Sequence, residues 1–213
     1  MGPMRLRWAA RPTGALCFVL ALAVTGRLGA QPQRLAVDPA KSHVRLELGR
    51  AGLMKFMGHE HQIEAPLAQG HVEVVEDDPA RSSVELRFEA ARLFVVPGSE
   101  PAGDIPKVEE RMRGPEVLEV AKYPEIVFQS ASVKSTPQGA SAFKLVVAGT
   151  LTLKGRSVPV EIPLEARRVD GGIEAKGEVE LELRDLGIEP PSVAGVVKVA
   201  NHFKLAFEIS ARP

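Results

Sequence analysis

The chain has 213 residues, 45% hydrophobic and 25% charged, with 27 basic side chains against 27 acidic ones. That balance leaves no electrostatic footprint for nucleic acid or an anionic membrane surface. A single cysteine, Cys17, excludes an internal disulfide and a cysteine-rich metal cluster.

Taken from its start, the chain opens with Arg5, Arg7 and Arg11 ahead of the apolar run GALCFVLALAV at 14–24, and the first 30 residues hold no acidic side chain. This is the build of a secretory signal peptide. The run is well short of the roughly 20 residues that span a bilayer. We therefore expect cleavage after Ala30, a single domain over 31–213, no membrane span in the mature form and a periplasmic or secreted location. The mature chain would keep 23 basic and 27 acidic side chains and no thiol.

After the leader, apolar and polar residues alternate with the period of half-buried strands, and they do so in eight runs. The first four place Val44, Leu46 and Leu48, then Val72 and Val74, then Val84, Leu86 and Phe88, then Ile126 and Phe128 on one face each. Leu145, Val147, Leu151 and Leu153 follow, then Val158, Val160, Ile162 and Leu164. Ile173, Ala175, Val179, Leu181 and Leu183 make the clearest run, opposed by five charged residues from Glu174 to Glu182 and by Arg184. Val197, Val199, Phe203, Leu205, Phe207 and Ile209 close the series.

LKGR at 153–156 and VDGG at 169–172 read as tight glycine turns between antiparallel neighbours. Pro159 and Pro163 lack an amide proton, which predicts an edge position or bulges for their strand. Between the fourth run and the third, IPKVEERMRGPEVLEVAKYP predicts a short helix with Asp104 as N-cap, Pro106 in its first turn and a Glu109–Arg113 pair. Gly114 and Pro115 would stop it and permit a second helix. Amphipathic strands with one dry face must stack as a sandwich or close into a barrel. The run lengths lean toward the barrel, because ten or more residues exceed the usual sandwich strand.

Four segments, in order, carry a resemblance: VDPAKSHVRLEL, ARSSVELRFEAARL, VLEVAKYPEIVFQS and VAGTLTLKGRSVPVEIPLEA. Together they resemble the YceI-like family of exported lipid-binding proteins, over about Leu35 to Ile209. The resemblance implies a lipocalin-like eight-stranded antiparallel β-barrel with a short helical insertion, no enzymatic activity, and a polyisoprenoid or other long apolar lipid held inside. On that basis the ligand would lie against Val44, Leu46, Val84, Leu86, Phe88, Phe128, Leu145, Val147, Leu151, Val179, Leu181, Phe203 and Phe207. Where many relatives carry an aromatic-containing strand, this chain has LMKFMGHEHQIEAP, a histidine-containing version of the segment.

His59 and His61 stand two apart, so in extended backbone both rings project to one side and could chelate a divalent metal. His43 and His202 are the available further ligands, yet both alternate onto charged strand faces. The expectation is no cofactor beyond a weakly bound divalent metal. The alternative function is a metal-binding or redox accessory protein using His59 and His61. A third reading is a barrel packed solid that acts only through its surface. No glycine-framed serine elbow and no glycine-rich phosphate loop is present.

Overall fold

A computed structural model describes residues 31–51, 61–193 and 197–213. Its strands are β1 (Gln33–Val37), β2 (His43–Ala51), β3 (His61–Glu64), β4 (Leu67–Val74), β5 (Ser83–Glu89) and β6 (Phe94–Val95). After helix α1 (Ile105–Arg113) come β7 (Glu125–Pro137), β8 (Ala142–Leu153), β9 (Arg156–Val169), β10 (Gly172–Glu182), β11 (Ser192–Val193) and β12 (Val197–Arg212).

Antiparallel pairing runs β1-β4-β5-β7-β8-β9-β10-β12, and β12 returns to β1 through Ala36↔Arg212 and Val37↔Ala211, which closes the ring. The remaining strands extend existing walls: β2 lies on β12, β3 on β2 and β6 on β3. Eight walls result, the first three each broken in the middle. The break between β1 and β2 is a 3-10 turn whose Asp38 carboxylate accepts from the Ala40 amide at 3.0 Å. Ser42 Oγ then accepts from the Ser210 amide at 3.1 Å, tying the kink to the last wall. The eight-stranded antiparallel barrel expected from alternation and resemblance is the fold observed.

The turn chemistry follows the sequence. Lys154 and Gly155 both have positive φ, 49° and 71°, as a two-residue turn matched to strand twist requires. Asp104 is the N-cap residue of α1, as expected, although its carboxylate caps no helix amide and instead holds Lys107 Nζ at 3.2 Å. One local expectation is corrected. No second helix follows Gly114; Glu119 takes φ 50°, and its amide bonds back to the Gly114 carbonyl, so residues 114–123 form consecutive turns.

Helix α1 closes one end of the barrel. Ile105, Val108 and Met112 share its apolar face and pack on the core. Arg111 reaches the Ser192 carbonyl at 3.0 Å on one side. Arg113 reaches the carbonyls of Ala91 and Leu93 on the other, each at 3.1 Å. The Glu109–Arg113 pair forms at 3.2 Å. Lys154 Nζ donates to the Pro115 carbonyl at 2.8 Å, so the β8–β9 turn grips the segment after the helix.

Strand β9 departs from the expected edge or bulge in an instructive way. It is an interior wall, paired with β8 without interruption from Arg156 to Arg167. Its pairing with β10, however, covers only Leu164–Val169. Since the β8 ladder is intact, the amide protons missing at Pro159 and Pro163 are missing toward β10. The prolines thus open half of one seam, and there Val158, Pro159, Glu180, Glu182, Asp185 and His202 line a polar cleft on the barrel's side.

Candidate functional site

Inward positions on all eight walls face one cavity of about 310 Å³, at the small end of ligand-sized pockets. All thirteen residues named above for ligand contact line it, from Val44 and Leu46 on β2 to Phe203 and Phe207 on β12. Leu46, Leu86, Leu145, Leu151, Val179 and Leu181 point inward yet stay only half-buried, because what they face is void. Sequence reasoning left out the base of the cavity. Met112, Val117, Leu118, Leu186 and Ile188 come from α1 and from turns without strand periodicity, so alternation could not find them.

Two large rings of the lining press close against glycines of the neighbouring walls. A Cβ on Gly149 would stand 2.8 Å from the Phe128 ring and 2.5 Å from the Gln129 carbonyl oxygen. On Gly177 it would stand 2.8 Å from the Phe207 ring and 2.5 Å from the Pro163 carbonyl oxygen. Real carbon atoms do not approach so closely, so only glycine lets these rings press onto the wall. The buried residues accordingly fall into two clusters, one with Leu35, Val44, Ile63 and Phe203, the other with Phe128, Val133, Val147 and Val160. Half-buried Leu86, Leu151 and Leu181 are the side chains that pack against both. The packed-solid reading is therefore set aside.

Polarity along the lining is one-sided. Among the described lining residues the α1 end is apolar, whereas the polar side chains, Ser82, Ser83 and Arg168, all belong to the opposite end, here called the rim.

Of the histidine pair, His59 lies outside the described residues. His61 Nδ1 bonds the carboxylate of Glu100, which is almost fully buried. His43 Nδ1 lies 3.3 Å from Glu64 and His202 Nδ1 lies 3.4 Å from Glu182, on separate outer patches rather than beside His61. Among the described residues no three histidine, cysteine, aspartate or glutamate side chains gather so as to hold a metal. Nor, among those residues, is any helix long and apolar enough to cross a membrane.

The YceI family model, described as a YceI-like domain, matches residues 35–211. In fold, the chain is similar to BcnA of Burkholderia cenocepacia, at 17% identity, covering 82% of this chain and 98% of that one with a TM-score of 0.61. It is also similar to a Campylobacter jejuni YCEI protein, at 16% identity, covering 62% of this chain and 72% of that one with a TM-score of 0.47. No curated protein matches in sequence.

Proposed function

The chain belongs to the YceI-like family, and from that membership we propose that it is an exported, non-enzymatic carrier holding a long apolar molecule of polyisoprenoid type inside its barrel. One observation carries the reading: a closed ring whose inward faces, apolar but for a few polar side chains at the rim, surround one cavity. A slender hydrocarbon suits such a space. Each methylene-sized group moved from water into it gains about 0.8 kcal/mol, so partial burial of a prenyl chain already gives useful affinity.

The thirteen inward residues named above are the proposed contacts. Removal of residues 1–30 would release the barrel into the periplasm or the surrounding medium. The test is native mass spectrometry of protein purified from its own host. We expect a polypeptide beginning at Gln31 with one apolar molecule per chain, released by organic extraction. A mass without excess, together with no uptake of a prenyl alcohol, would sink the proposal.

A further inference from the structure

The rim of the bore carries an arginine where alternation calls for another apolar residue. On β9 the inward positions run Val160, Ile162, Leu164, Ala166 and then Arg168. Arg168 pairs across with Ile173, which also lines the cavity. It is the one charged side chain on the described lining, and it is half-buried.

Its surroundings leave that charge unanswered. The guanidinium packs 5.3 Å from the centroid of the Phe143 ring, itself a lining residue. Nη2 donates to the carbonyl oxygen of Glu76 at 3.1 Å. No carboxylate lies within ion-pairing distance of it among the described residues, whereas the neighbouring Arg167, on the outer face, is paired with Glu174 at 2.5 Å. Glu76 belongs to the β4–β5 loop, and β4 stands four places from β9 in either direction round the ring. Arg168 therefore bridges opposite sides of the mouth, and it holds the far side through a neutral acceptor.

The geometry points to Arg168 as the head-group site of the cavity, selecting amphiphiles with a single anionic head, phosphate or carboxylate, bound with the tail toward α1. This rests on the carrier reading and specifies its ligand class. An ionised oxygen is a stronger acceptor than a peptide carbonyl, so an arriving anion takes the guanidinium from Glu76 in a favourable exchange. Arginine also has the planar fork that grips either anion through two parallel bonds. Ser82 and Ser83 add polar surface at the same end, while the apolar base admits only a tail.

The probes are dodecyl phosphate, dodecanoate and dodecanol, displacing a fluorescent apolar dye from the delipidated mature protein. Wild type should bind both anions at least about tenfold more tightly than the alcohol, the scale of one charge-assisted hydrogen bond. Arg168→Met should bind all three alike, at the wild-type affinity for dodecanol, and Arg168→Lys should keep part of the preference. Should the Met variant fail to fold, Arg168→Gln makes the same test. Equal affinity of wild type for all three, or a preference that survives loss of the arginine, would overturn the head-group site while leaving the carrier intact. Failure of wild type to bind any of the three would overturn both.

Discussion

At the scale of single residues, the width of the bore is decided by what is missing from Gly149. A methyl group there meets the Phe128 ring and the Gln129 carbonyl together, and the carbonyl cannot yield. Gly149→Ala should therefore destabilise the fold by about 1–3 kcal/mol, the usual penalty of overpacking, and push the ring into the cavity. Thermal melts would read the first effect and reduced uptake of a prenyl alcohol the second. The neighbours Leu181 and Glu180 make a paired test of which face binds. Leu181 lines the cavity and Glu180 does not. Leu181→Arg should lose ligand and at least about 2 kcal/mol of stability, because the new charge has no partner in an apolar bore. Glu180→Lys should keep both. Equal ligand retention by folded forms of the two variants would remove the interior from consideration.

At the scale of elements, the seam between β9 and β10 shows that two prolines can do more than place a strand at an edge. Their absent amide protons predict a gap in the ladder, and the gap is present, but β9 satisfies β8 along its other side and so stays inside the sheet. Replacing both, as Pro159→Val with Pro163→Val, should extend the β9–β10 ladder. Amide hydrogen exchange at Glu178–Glu182 would then slow, and unchanged exchange rates would argue that side-chain crowding, not the prolines, splits the seam. What was legible in the sequence has the same physical basis. Period-two alternation names Val179 and Leu181 as inward because a strand has only two faces. Arg168 continues that alternation and was legible too, once charge is read as a position on a face rather than as a sign of the outside. Met112 and Leu186 were not, since a helix and a turn bring them to the cavity by tertiary packing that no short period records. The consecutive turns of residues 114–123 were missed for a related reason: Glu119 takes a left-handed conformation that its side chain does not advertise.

At the scale of the whole molecule, the ring is completed by its first wall meeting its last. Ala36 and Val37 pair with Arg212 and Ala211, while Gln33–Ala36 also pair with β4. Every other neighbouring pair of walls is joined by a local connection. The sequence separation across that one junction is nearly the full length of the domain, so closure must overcome the largest loop entropy in the fold before its contacts form. A meander of seven joined walls can assemble earlier, and until the first wall, β1 with β2, meets β12 it exposes an open edge and one flank of an apolar trough. The junction thus makes loading and maturation a kinetic competition. A hydrocarbon that reaches the trough before the last pairing is sealed in without passing through either end, and its residence time is then set by reopening of the seam that β1 and β2 make with β12 rather than by its affinity for the wall.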